Sequence, residues 1–291
     1  MLKGSITALV TPFKNGDVDY DTFQKLTEWN VKAGSHGLVV CGATGESATL
    51  TDDERNKLIS ACQEVTKGKI PLVVGAGTSS THKTISYSQQ AQKLGANGVL
   101  IATPYYNKPT QEGIYQHFKA LNDAINIPIY LYNVPARTVV NISDETIARV
   151  AQLSNIKGLK DCSGDLTRPI KLNGLLGKKD FTQLTGEDEL AYAFNTSGGQ
   201  GAISITSNIV PELCAQMQNY CLQNNYKEAL AIHSKLMPLH AVMTCESNPI
   251  PVKYALSLID KLSPEMRLPL VELQPTSKAR VEAAMKQVGL I

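Results

Sequence analysis

The sequence predicts an α/β protein: a (β/α)8 TIM barrel over residues 1–224, followed by a small all-helical extension over 225–291. Three observations carry that prediction. Eight short apolar runs recur through the first two-thirds of the chain, mostly about 25–35 residues apart, which suits strand-plus-helix units. Segments of helical periodicity fill the intervals between them. After about residue 207 the strand-like runs stop and helical segments alone follow. A chain of 291 residues suits one such barrel as well as two average domains. An open doubly wound sheet is the rival architecture. It is disfavoured because Thr11-Pro12-Phe13, rather than a GxGxxG turn, follows the first strand.

The elements follow in order. Ile6–Val10 is the first strand, and Phe23, Leu26, Trp29 and Val31–Ala33 mark the first helix behind a cap at Asp19. Leu38–Val40 is the second strand; it enters Gly42-Ala43-Thr44-Gly45-Glu46-Ser47, and a helix opens at Thr51-Asp52-Asp53-Glu54. Leu72–Val74 and Val99–Ala102 are the third and fourth strands, the latter followed by a helix carrying Ile114, His117-Phe118 and Leu121. Ile129–Tyr132 is the fifth, followed by Ser143 as cap and Ile147, Val150–Ala151 and Leu153 as helical face. Ile156–Leu159, Phe181–Leu184 and Ala202–Ile205 complete the eight, with Asp165 the expected cap of the helix after the sixth. Helical segments near 211–222, 226–240, 249–260 and 276–288 end the chain; the first is placed to complete the barrel.

Composition excludes several classes of function. The chain is 43% apolar and 19% charged with a net charge of +2, an ordinary globular balance with no basic face for nucleic acid. Its six cysteines, at 41, 62, 162, 214, 221 and 245, form no CxxC pair and read as reduced, buried thiols of a cytosolic protein. Met1-Leu2-Lys3-Gly4-Ser5 runs directly into a strand, so the expectation is no signal peptide. No apolar stretch approaches the roughly 18 residues of a membrane span. The expected setting is cytoplasmic, without membrane or nucleic-acid partners. His36, His82, His117, His233 and His240 are scattered, with no HxxxH or HExxH, so no metal site is expected.

In a barrel, chemistry collects where strands end. A glycine-framed hydroxyl loop after the second strand leaves backbone N–H groups and the Thr44 hydroxyl free to grip a small anion. The fourth strand ends in Thr103-Pro104-Tyr105-Tyr106-Asn107-Lys108-Pro109, a stiff turn able to project an aromatic beyond its own barrel. The fifth ends in Tyr130-Leu131-Tyr132-Asn133-Val134-Pro135-Ala136-Arg137-Thr138; strand parity puts Tyr130 and Tyr132 on one face and Leu131 on the other. The sixth ends in Gly158-Leu159-Lys160-Asp161, the seventh in Thr185-Gly186-Glu187 and the eighth in Ala202-Ile203-Ser204. Most strand-end lysines are simply solvated, but Lys160 follows an apolar strand and faces a ring of aromatics. Desolvation there favours the neutral amine. A drop of about three units from roughly 10.4, worth about 4 kcal/mol, would make it mostly neutral near pH 7. It is then a Schiff-base nucleophile for a carbonyl substrate. Tyr132 is either a core tyrosine or a proton carrier beside the lysine, and the Arg137 guanidinium suits a substrate carboxylate.

These residues resemble the dihydrodipicolinate synthase family, within the N-acetylneuraminate lyase superfamily of pyruvate-dependent class I aldolases. The likeness runs end to end, through Gly4-Ser5, Thr11-Pro12-Phe13, Gly42 to Ser47, Pro104 to Pro109 and Gln111-Glu112-Gly113. It continues through Tyr132-Asn133-Val134-Pro135, Arg137-Thr138, Gly158 to Asp161 and Asn248-Pro249-Ile250-Pro251-Val252-Lys253. The resemblance implies an imine between Lys160 and pyruvate, whose enamine attacks aspartate 4-semialdehyde in lysine and diaminopimelate biosynthesis. No cofactor is implied. It gives Thr44 and Gly45 to the pyruvate carboxylate, with Ile203 lining the pocket and Gly186 among the substrate-binding residues. Tyr132 becomes general acid/base, and Arg137 orients the entrance and the second substrate's carboxylate. Tyr106 is expected to cross into a partner's site in a dimer or a dimer of dimers.

Three departures from the family pattern stand out. Ala43 occupies the first threonine of Gly-Thr-Thr-Gly-Glu, whose hydroxyl would link Tyr132 to Tyr106 in a proton relay; a slower enzyme is expected, and Cys41, of the same strand parity, is a candidate substitute. Arg55 and Lys83 fall where lysine-inhibited members carry a histidine and an acidic side chain, so weak or absent lysine feedback is expected. Val139 stands where glycine is common. A related aldolase using another aldehyde, and a catalytically weak pyruvate-binding protein, are the alternatives.

Overall fold

The computed structural model describes residues 2–291, so Met1, named above at the start of the chain, lies outside the described residues. Strands β1 (Gly4–Ala8), β2 (Gly37–Val40), β3 (Leu72–Gly75), β4 (Gly98–Ala102), β5 (Ile129–Asn133), β6 (Ile156–Asp161), β7 (Thr182–Thr185) and β8 (Gly201–Ser204) run parallel and close in chain order into a barrel. Closure is made by β1, which aligns Ile6 with Gly37 of β2 and with Ile203 of β8. Each strand matches its expected apolar run to within a few residues. A small antiparallel hairpin, Phe13–Lys14 with Asp17–Val18, follows β1. Sequence reading had not anticipated it, since two-residue strands carry no periodicity.

Alternation along the strands divides the core. Ile6, Val39, Val73, Leu100, Tyr130, Leu184 and Ile203 fill the barrel interior, with Tyr132 packed on them. Leu38, Val40, Leu72, Val74, Val99, Ile101, Leu131 and Leu159 face the surrounding helices. Tyr130 and Tyr132 therefore share the inner face and Leu131 the outer, as the period of two requires.

Those helices are α1 (Tyr20–Lys32), α2 (Asp52–Thr66), α3 (Thr81–Lys93), α4 (Gln111–Ala124), α5 (Asp144–Val150), α6 (Arg168–Leu176) and α7 (Ala191–Thr196). Three expected caps are in place. Asp19 accepts from the Thr22 amide, Thr51 and Glu54 form a reciprocal capping box, and Ser143 accepts from the Thr146 amide. Asp165 is not the cap of α6: the helix starts at Arg168 behind Thr167. The Asp165 carboxylate instead closes a local turn, accepting from the Thr167 amide at 2.8 Å, a contact that a short acidic side chain makes as readily as a cap.

Helix α8 (Pro211–Leu222) packs on β1 and completes the barrel; α9 (Tyr226–Val242) lies against α8, and α10 (Ile250–Leu258) and α11 (Pro275–Gln287) follow. One apolar cluster joins Val10, Leu26 and Ile209 of the barrel to Leu236, Val252, Val281 and Met285 of the extension. The extension thus shares its core with the barrel and reaches the ends of the barrel strands. No helix among the described residues is long and apolar enough to cross a membrane.

Candidate active site

Strand register brings the two main candidates together. Tyr132 at the end of β5 is the direct partner of Lys160 at the end of β6, and the Lys160 Nζ lies 4.3 Å from the centre of the Tyr132 ring. The outward neighbours lock that pairing. Asp161 accepts from Asn133 and from Arg168, both at 2.8 Å, and Arg168 also pairs with Asp144 at 2.9 Å. Lys160 is only 6% exposed. Desolvation holds its amine below the ordinary lysine range, and the nearby Arg137 charge acts in the same direction, against Cys162 and Asp188. Gly186 makes room for it: a Cβ there would collide with Lys160 Cε and Cys162 Sγ.

Burial raises the Tyr132 phenol well above its usual value, so it is a protonated, donating group at neutral pH. Its hydroxyl faces the Cys162 thiol at 4.0 Å. That thiol is pushed up to about 11 by burial, with Lys160 opposing the shift. Sequence reading did not single out Cys162. The available signal was its position two residues beyond Lys160, which returns a side chain to the inner face.

Cys41, by contrast, is not a relay substitute. Its φ of 55° ends the strand's alternation, and its buried thiol turns outward to the Arg55 carbonyl at 3.9 Å. Of the six thiols, Cys41, Cys62, Cys214 and Cys221 are buried, whereas Cys162 and Cys245 are only partly so.

In the loop after β2, Gly45 N–H is already turned back to Gly42 O at 3.1 Å, and Ser47 N–H shares the same acceptor. The donors left for an anion are therefore the amides of Ala43 and Thr44, which make no hydrogen bond among the described residues. Gly45 serves close approach instead: a Cβ would stand 3.1 Å from Leu9 O, and the Gly45 carbonyl accepts from Thr11 Oγ1 at 2.7 Å. The Thr44 hydroxyl accepts from Asn248 Nδ2 at 3.0 Å. Glu46 forms a fully buried ion pair with Lys253 at 2.7 Å. Asn248 and Lys253 both come from the Asn-Pro-Ile-Pro-Val-Lys segment, whose contacts the sequence alone does not assign.

A cavity of about 380 Å³ opens above this floor. Ala43, Tyr105, Tyr132, Arg137, Thr138, Asn248 and Leu270 are on its wall, whereas Lys160, Thr44, Gly45 and Ile203 are buried and do not line it. Arg137 sits in a single helical turn, Pro135–Thr138, ended by Val139 in the left-handed conformation with φ 60°. That φ supplies the physical reason for a glycine at this position. Tyr106, at φ 72°, is 94% exposed and stands clear of its own cavity. Arg55 is buried, donates to Gly75 O at 2.7 Å and stacks 4.3 Å from the Tyr87 ring, with Lys83 Nζ 5.2 Å from the same ring. Among the described residues no group of three or more His, Cys, Asp or Glu is placed to hold a metal ion.

The profile of the Dihydrodipicolinate synthetase family matches residues 1–288. The chain is 49% identical to the 4-hydroxy-tetrahydrodipicolinate synthase of Afipia carboxidovorans, over 99% of this chain and 97% of that one. Among solved structures it resembles dihydrodipicolinate synthase from Thermotoga maritima, with a TM-score of 0.97 and 42% identity over the whole of both chains. It also resembles the chloride-inhibited dihydrodipicolinate synthase from Acinetobacter baumannii, solved with pyruvate, with a TM-score of 0.97 and 39% identity over the whole of both chains.

Proposed function

The chain belongs to the dihydrodipicolinate synthetase family, and from that premise we propose how its residues divide the work. The activity is that of a lyase, 4-hydroxy-tetrahydrodipicolinate synthase, which joins pyruvate to L-aspartate 4-semialdehyde in the diaminopimelate route to lysine. Lys160, as the neutral amine, adds to C2 of pyruvate and forms an imine with loss of water. Loss of a C3 proton gives the enamine, whose C3 attacks the aldehyde carbon. The substrate's own amine then adds to the imine carbon, closing the ring and releasing Lys160. No cofactor is required, because the protonated imine itself is the electron sink.

The Thr44 hydroxyl and the adjoining loop amides hold the pyruvate carboxylate, Gly45 lets that loop sit tight on the barrel, and Ile203 forms the pocket floor. Tyr132 carries protons to and from the reacting centre, Gly186 lies at the substrate beside Lys160, and Arg137 at the cavity mouth takes the second substrate's carboxylate. Tyr106 points away from its own cavity and completes the site of a second copy in a dimer or a dimer of dimers. Ala43 leaves the relay between Tyr132 and Tyr106 without its hydroxyl, so turnover is slow. Arg55 and Lys83 make lysine feedback weak; inhibition by lysine at low concentration would count against that. The division at 224/225 is architectural, and the protein works in the cytoplasm.

The observation that carries this reading is the buried Lys160 amine set in register beside Tyr132 at the C-terminal end of the barrel. Borohydride reduction in the presence of pyruvate tests it. The adduct is expected on Lys160 by mass mapping, together with turnover of aspartate semialdehyde in a coupled assay. An adduct elsewhere, or none, would overturn it.

A further inference from the structure

We propose that Asn248 is a positioning residue: its amide sets the direction of the Thr44 hydroxyl and thereby the loop's grip on a carboxylate, an inference that rests on Thr44 being the carboxylate donor. A threonine hydroxyl carries one proton and two lone pairs. Asn248 Nδ2, 204 residues away in the chain, occupies one lone pair at 3.0 Å. The O–H is therefore turned away from Asn248, and no protein acceptor within reach among the described residues takes it. The amides of Ala43 and Thr44 are also unspent. Hydroxyl and amides together make a set of donors with no acceptor, which an anion satisfies.

The rest of the extension fixes this arrangement. Lys253 Nζ holds Glu46 Oε1 at 2.7 Å, the Arg267 amide reaches Glu46 Oε2 at 3.3 Å, and the Arg267 guanidinium holds Thr49 O at 3.1 Å. The loop is thus clamped by the extension, and among these contacts Asn248 is the one that touches a donor of the site. Chemistry selects an amide here. An aspartate of the same shape can only accept, so it would draw the Thr44 proton toward itself and set a negative charge beside the carboxylate.

A double-mutant cycle between positions 248 and 44 is the test, read as pyruvate KM and kcat with a thermal melt of each variant. Asn248→Ala is expected to raise pyruvate KM about tenfold, the scale of one hydrogen bond to a charged group, and to leave kcat at saturation within about twofold. Asn248→Asp should raise KM further, and because it keeps the side chain's shape it serves if the alanine variant melts early. In a Thr44→Val background, which itself raises KM, Asn248→Ala should add less than about twofold. An unchanged KM in both single variants at 248, or full additivity with Thr44→Val, would overturn the inference. If Thr44→Val alone leaves pyruvate KM unchanged, it is the carboxylate assignment that fails, and the inference falls with it.

Discussion

Replacing Lys253 by methionine isolates the strongest link between the helical extension and the loop after β2. The ammonium and Glu46 carboxylate are 2.7 Å apart, with side chains 0% and 1% exposed. At an effective dielectric of 20 the attraction is about 6 kcal/mol, set against the desolvation of both ions, and losing one partner of such a pair costs about 3–5 kcal/mol. Methionine keeps an unbranched apolar stem of similar length and loses the ammonium with its contact to the Phe13 ring, whose centre lies 4.4 Å from the Lys253 Nζ. The loss is thus chiefly electrostatic. Glu46 keeps one donor, the Arg267 amide at 3.3 Å, and the Arg267 guanidinium is already committed to Glu54, Gly16 and Thr49. Lys253→Met should therefore lower stability in urea by about 4 kcal/mol and the melting temperature by about 10 °C, with a raised pyruvate KM in the surviving fold. The double variant Glu46→Gln/Lys253→Met, free of both charges, should recover most of the loss. A single-variant cost below about 1 kcal/mol, or a double variant no better than the single, would refute the reasoning.

Burial holds the Lys160 amine below its ordinary value, so at any given pH more of it is neutral than in a solvated lysine. The rate of borohydride trapping should rise with pH through a midpoint below the roughly 10.4 of free lysine, and a midpoint at or above that value would show the amine is not desolvated. Ala43→Thr should raise kcat about tenfold or more with pyruvate KM little changed, against the 10²–10⁴ that positioned acid–base help commonly contributes; stopped-flow turnover that shows no rise would sink the relay argument. Val139→Gly relieves a β-branched residue at φ 60° and should add about 1–2 kcal/mol in denaturant titration, an unchanged midpoint counting against strain at that turn.

Strands and helices were legible because burial repeats every second or every 3.6 residues, a signal that survives without knowledge of neighbours. Lys160 and Tyr132 were legible for the same reason: both end apolar strands, and parity sends both inward. The readings that failed are those where periodicity stops. Cys41 shares parity with position 43 only if the strand continues, and its positive φ breaks the alternation. At Gly45, which the resemblance gives to the pyruvate carboxylate, the N–H closes the loop on Gly42 O, a contact with no periodic signal. Asp165 has the composition of a cap but sits two residues before the actual one.

Composition and pattern alone thus determined the barrel, the helical extension and a desolvated lysine beside a tyrosine at the strand ends. Tertiary structure alone decided which side chains meet in the loop. Asn248 reaches Thr44 across 204 residues and Lys253 reaches Glu46 across 207. Such contacts leave no periodic trace, because they arise from how the extension packs on the closed barrel rather than from the local geometry of either segment.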